Sequence, residues 1–288
     1  VTLHGLLIVA RAVHFCACAL LCGGAGLLWR LRATPGAADA RSGLVRSAAV
    51  VAVVAGGVWL ATTLVIITAD PGSLMEREAW SALWTSSFGP PWAIRLGLLA
   101  AGLGAAAMGG RMTLPLLTLC GGGLAIDQAW LGHAATGGGP RGALMIASDA
   151  LHVTAAYAWT GALPVLGLLV VRSPGSPRTA RALALFSTAG LLAVGTILAT
   201  GLINASFRLD SSAQVIGTAY GRLLCVKVML FATMLGLASI NRSIAASDRM
   251  SSQGAGHRVL LLGVLAETGL GALVLGIAAI LGTTAPPL

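Results

Sequence analysis

The sequence predicts an all-α polytopic membrane protein: one membrane domain built as a bundle of eight transmembrane helices. Three observations carry that prediction. Charged residues make up 9% of the 288-residue chain and hydrophobic residues 57%, where a soluble domain carries about 25% charge. Apolar runs longer than about 18 residues, the length that crosses a bilayer, recur from one end to the other. The basic residues between those runs favour one set of alternate segments, eleven to five, as positive-inside topology requires.

The runs fall at residues 3–29, 44–68, 92–109, 113–131, 148–171, 182–203, 223–240 and 259–281. Span 1 has Arg11 ahead of an apolar stretch, as a signal peptide would. It continues to full membrane length without a convincing cleavage site, so it reads as a helix. Spans 3 and 4 are separated only by Gly110, Arg111 and Met112 and form a tight antiparallel pair. The stretches "GGAG", "GLGAAAMGG" and "GGG" give spans 1, 3 and 4 small faces, which let helix backbones approach where lipid supplies no hydrophobic drive. In span 5, Trp159 packs the bundle and Pro164 removes a backbone donor, which should bend the helix. Segment 69–91, with Trp80 and Trp84 and leading into Trp92, reads as an amphipathic piece lying at the interface.

Eleven basic residues fall in the segments after spans 1, 3, 5 and 7. The alternate segments hold Arg77, Arg95, Arg141, Arg208 and Arg222, mixed with Asp70, Glu76, Glu78 and Asp210. This asymmetry predicts both termini on the outer side. The same scatter of single basic residues excludes a nucleic-acid surface, despite a net charge of +9. Five cysteines, all inside apolar runs, do not form a secreted disulfide framework. The chain has no Walker sequence, dinucleotide fingerprint, C-x-x-C metal loop or serine elbow, so no enzyme is expected.

Chemistry gathers in "GHAATGGGPRGALMIASDALHVTAAYAWTG", residues 132–161. His133 ends span 4, a glycine turn brings the chain back, and Asp149 and His152 open span 5. The spacing of three places Asp149 and His152 on one helical turn, and the two histidines can approach each other at the outer mouth. In span 1, His14, Cys18 and Cys22 recur every four residues behind Arg11. That stripe offers an imidazole and two thiols, ligand types that suit Cu(I); the thiols equally read as small apolar packers.

These pieces resemble the copper resistance protein D family of bacterial inner-membrane proteins. The resemblance rests on "RAVHF" with Arg11 and His14, "GHAA" followed by "DALHVTAAYAWTG", "YGRLLCVKVMLFATMLGLASINR" with Lys227, Asn241 and Arg242, and "LAETGLGALVLGIAAILGTTAPP" with Glu267. It implies copper handling at the cytoplasmic membrane, moving copper inward from the periplasm. It also implies a separate periplasmic copper-binding protein as partner, beside the copper ion and the lipid bilayer.

The expected copper ligands are His14, His133 and His152, with Cu(I) ahead of Cu(II). Asp149 either orients an imidazole N–H or caps the helix, and Asn204 and Ser206 cap span 6. Cys18, Cys22, Met145 and His4 are further candidates for a copper path. Arg11, Asp127, Lys227 and Glu267 are expensive within a membrane unless paired; pairing Asp127 with Arg11 or Lys227 is expected, and Glu267 is a candidate for proton coupling. Two alternatives stay open at this point. One is a cytochrome b-like haem b protein in electron transfer, with His14 and His133 or His152 as axial ligands. The other is a structural membrane subunit without a ligand.

Overall fold

The computed structural model describes residues 2–32, 42–132, 138–245 and 255–287. Every regular element among them is a helix. Helix α1 (Leu3–Arg30) starts on Thr2, whose hydroxyl accepts from the Gly5 backbone N–H at 3.2 Å. It is widened to a π turn at Leu20–Gly24. Helix α2 spans Ser42–Thr68. The Asp70 side chain then caps a 3₁₀ turn, Pro71–Met75, by accepting from Gly72 N–H at 2.8 Å.

The short helix α3 (Arg77–Thr85) buries Leu83, and its Trp80 indole donates to the Leu74 carbonyl at 3.1 Å. Helices α4 (Gly89–Met108) and α5 (Thr113–Asp127) form the expected hairpin. After a 3₁₀ turn at Gln128–Trp130 come α6 (Gly139–Arg172) and α7 (Pro177–Ser206). The short α8 (Ser212–Gly217) leads into α9 (Ala219–Ala245), and α10 (Ala255–Leu281) closes the bundle.

Seven of these helices, α1, α2, α4, α6, α7, α9 and α10, are long and apolar enough to cross a membrane. The expected eighth, residues 113–131, is regular only to Asp127. Fifteen residues rise about 22 Å, and the 3₁₀ turn adds about 6 Å, so the α-helical part alone falls short of the span the sequence predicts. Two other boundaries also move. Helix α4 starts at Gly89 on a Pro-Pro pair and takes Arg95 into its second turn, out of the loop where it was expected. Helix α6 starts at Gly139 with Pro140 at its head, nine residues before the predicted start. Asp149 therefore lies three turns inside a helix and is not its N-cap. The helix runs unbroken through Pro164.

Helix α1 is the centre of the bundle, touching α2, α5, α6 and α10. Where its π turn crosses α6 and α5, glycines meet backbones. A Cβ on Gly161 would overlap the Ala19 carbonyl, and one on Gly23 would lie 2.7 Å from Ala162 N. One on Gly121 would overlap the backbone of Cys22. The small faces "GGAG" and "GGG" do hold helices in close approach, with the wide π turn at that crossing, whereas a Cβ on Gly104, Gly109 or Gly110 of "GLGAAAMGG" would meet nothing within 4 Å. Helix α9 is the opposite case. Only 6% of its apolar window is buried, against 56% in α1 and α6. It packs on α10 and α8 and barely touches α7.

Candidate functional site

Two polar assemblies are built inside this apolar scaffold. In the first, α1, α2, α4 and α5 enclose His14, which has no exposed surface. Its Nδ1 lies 2.9 Å from the Ala52 carbonyl, and Arg95 Nη1 lies 3.0 Å from its Nε2. A carbonyl only accepts and a guanidinium only donates, so Nδ1 carries the proton and Nε2 offers the lone pair. Cys18 Sγ is also 3.3 Å from that nitrogen.

Arg95, 1% exposed, spends its other donors on Asp127 Oδ2 (Nε, 2.9 Å), Gln128 Oε1 (Nη2, 3.0 Å) and the Leu124 carbonyl (Nη2, 3.4 Å). Trp59 and Trp92, with ring centroids 4.9 Å apart, cover the guanidinium at 5.0 and 5.7 Å. Asp127 thus pairs with Arg95, not with Arg11 or Lys227 as expected. Arg95 sits on the facing helix α4 beside it, while Arg11 lies against Trp59 and Phe15, at 4.9 and 5.6 Å from their centroids.

The second assembly lines a cavity of about 350 Å³ between α1, α6, α7, α9 and α10. His152 Nδ1 is 3.0 Å from Thr200 Oγ1, and that hydroxyl gives its own proton to the Thr196 carbonyl at 2.5 Å. Nδ1–H is therefore the donor here too, and Nε2 keeps its lone pair. The Ile197 carbonyl is a further backbone acceptor on this imidazole, and among the described residues no side chain bonds Nε2. On the same helix Asp149 Oδ1 accepts from Arg208 Nη2 and Asn204 Nδ2, each at 3.2 Å. Asn204 is thus a partner of Asp149 and not a helix cap, because α7 continues past it to Ser206. Lys227 reaches the cavity from α9, and Arg11 and Gln128 reach it from the side of the first assembly.

Gly132 lines the cavity, with Asp149 Oδ2 3.8 Å from the position its Cβ would take. His133, the next residue, lies outside the described residues. His4 is exposed on the first turn of α1, and Met145 is buried in α6. Cys22 is buried in the π turn. All five cysteines are free. Among the described residues no three of His, Cys, Asp and Glu converge on one point. Glu267, 1% exposed, accepts from Asn241 Nδ2 at 2.5 Å through Oε1, while its Oε2 has no partner among the described residues.

Sequence reasoning missed Arg95, Gln128, Trp59 and Trp92. Two signals were available: Arg95 falls three residues inside an apolar run, and Trp92 precedes it by three, one helical turn away.

Comparison with known proteins places these residues in a family. Residues 2–143 match the copper resistance protein D-like N-terminal domain, and residues 180–281 match copper resistance protein D. Copper resistance protein D of Pseudomonas syringae pv. tomato is 31% identical over 217 residues, which cover 70% of this chain and 69% of that protein. The chain belongs to the copper resistance protein D family. Two further relatives are the inner membrane protein YebZ of Escherichia coli, 27% identical over 80% of this chain and 82% of that protein, and the copper transport protein CutJ of Bacillus subtilis. The latter is 36% identical over 49% of this chain but only 26% of its own length. The N-terminal family model covers the whole His14–Arg95–Asp127 assembly, the C-terminal one covers Lys227 and Glu267, and His152 lies between them.

Proposed function

We propose that this protein carries copper across the bacterial inner membrane, from the periplasm inward, with His152 as a copper ligand on the cavity wall. The observation that carries the reading is the unclaimed Nε2 lone pair of His152, held towards the cavity by a fixed Nδ1–H bond to Thr200. A neutral imidazole whose other nitrogen is locked is a prepared metal ligand. Cu(I) needs as few as two such donors, so it does not require the larger cluster that Zn(II) or Cu(II) would. His133 follows Gly132, itself on the cavity wall, and is proposed as the second imidazole.

In this reading His14 is a buried framework group in the conformation described, because Arg95 and Cys18 occupy its Nε2. The same occupancy weighs against haem b, which needs two axial imidazoles. Helix α5 with its 3₁₀ turn totals about 28 Å and serves as the eighth crossing, which leaves both termini on the periplasmic side. The copper resistance and copper transport names of the relatives support copper as cargo, and YebZ supports the inner membrane. A separate periplasmic copper carrier would deliver the ion.

The test is Cu(I) uptake into liposomes containing the purified protein, wild type beside His152→Ala and the double variant with His133→Ala. Saturable uptake lost in both variants is expected. Uptake no faster than in empty liposomes, or undiminished in the double variant, would sink the reading. A sharp Soret band in the same preparation would replace copper with haem.

A further inference from the structure

Two cations face the cavity without a carboxylate of their own. Arg11 is 6% exposed and lies over Phe15 and Trp59; among the described residues its Nη1 bonds the Gly282 carbonyl at 3.4 Å and its Nε has no hydrogen-bond partner. Gly282 is tied to that contact, since a Cβ there would overlap the guanidinium. Lys227 makes no hydrogen bond and no ion pair among the described residues, and both side chains line the cavity.

The acids that might neutralise them are engaged elsewhere. Asp127 is held by Arg95 at 2.9 Å, and Asp149 by Arg208 and Asn204 at 3.2 Å. Glu267 bonds Asn241 and is not part of the cavity wall. The remaining wall is largely apolar, with Trp159, Phe231 and Leu275 among its residues. Asp149 on the wall is matched by Arg208, so among the described residues Arg11 and Lys227 leave the cavity two positive charges in excess, and such an excess inside a membrane calls for a counter-charge.

We propose that the cavity binds a small monovalent anion with soft donor atoms. Resting on the copper reading above, copper enters it as a two-coordinate anionic Cu(I) complex of the dichlorocuprate type and not as bare Cu⁺. A bare ion would add a third positive charge beside Arg11 and Lys227. The anionic complex is attracted by both, and its apolar-tolerant halide ligands suit the lining.

Transfer to the protein is a ligand exchange. His152 Nε2 forms one Cu–N bond with its lone pair, one Cu–Cl bond breaks, and the departing chloride keeps the electron pair of that bond. No redox change occurs, and the released anion remains opposite Lys227. The copper that stays, with one imidazole and one chloride, is neutral overall and free of the repulsion.

Bromide without copper tests the site directly, through broadening of the ⁸¹Br NMR line by the purified protein in nanodiscs of zwitterionic lipid. Saturable broadening is expected in the wild type and in Lys227→Arg, and at least fivefold weaker in Lys227→Met. Broadening no greater than with empty nanodiscs, or equal in Lys227→Met, overturns the proposal. So does loss of the signal when phosphatidylglycerol replaces part of the lipid, since the counter-charge would then be a lipid phosphate. On supported membranes, adding Cu(I) in chloride should move negative charge into the protein; positive charge overturns the anionic complex. Halide broadening with no copper response in any salt would retain the anion site and reject the copper reading, so the two fail separately.

Discussion

His14 and His152 carry the same tautomer, each fixed by an Nδ1–H bond, and differ only in what meets the other nitrogen. At His14 it is Arg95, with Asp127 and Gln128 completing the guanidinium and two tryptophans sealing it. At His152 it is a cavity, and the nearby cation Lys227 makes no hydrogen bond or ion pair among the described residues. One region gives its arginine four acceptors. The other is short of negative charge and has a lone pair to spare. Histidine in a membrane helix is therefore not by itself a ligand. Its role is set by whether a donor on the facing helix claims the lone pair.

The largest effect expected from that contrast is at Arg95. Arg95→Leu leaves Asp127 buried without a counter-charge and His14 without a donor, a loss of about 3–5 kcal/mol. It should appear as a strongly lowered melting temperature by size-exclusion thermostability. An unshifted melt would mean that the first assembly is not a sealed framework. Gly161→Ala comes next at about 1–3 kcal/mol, since the added methyl forces α6 away from the Ala19 carbonyl. A neutral outcome there would deny the close crossing.

The two histidines can then be set against each other in one preparation. His14→Ala should lower stability by about 1–3 kcal/mol, through the unsatisfied Arg95 and Ala52 groups it leaves. His152→Ala should change the melt little and weaken Cu(I) binding at least tenfold, read by competition with a Cu(I) chelator. If both variants lose binding without losing stability, the distinction between them collapses. The smallest effect is at Asp149→Asn. Its partner Arg208 is partly solvated, so the stability change should stay under about 1 kcal/mol. The same change removes the nearest negative charge from the cavity and should raise its bromide affinity; a fall would count against the electrostatics assigned there.

Composition and run lengths made the bundle legible, and the glycine clusters located its closest crossings, because both depend on local sequence. The pairing of Asp127 was not legible. Which of several arginines faces a given carboxylate depends on how α4 and α5 pack, and a charge tally by loop assigned Arg95 to the wrong environment. Asp149 as a cap failed for a related reason. The Gly139–Pro140 start is a stronger helix signal than the serine and aspartate nine residues on, and membrane helices need not begin where the apolar run begins. Asp149 and His152 do share one cavity wall, as their spacing predicts, while His133, expected beside them, lies outside the described residues; that Arg11 and Lys227 lack carboxylate partners depends on long-range packing and was not legible.

Helix α9 supplies Lys227 to the cavity while resting on little besides α10 and α8. A wall so sparsely anchored belongs to the low-stability end of the molecule, where backbone amides open and exchange first. Any occupant that bridges Lys227 to the residues opposite acts as an adhesive for that helix. By mass action a ligand present at a hundred times its dissociation constant adds about 2.7 kcal/mol to the bound state. Slowed hydrogen exchange confined to α9 would then report occupancy of the cavity without following the cargo at all.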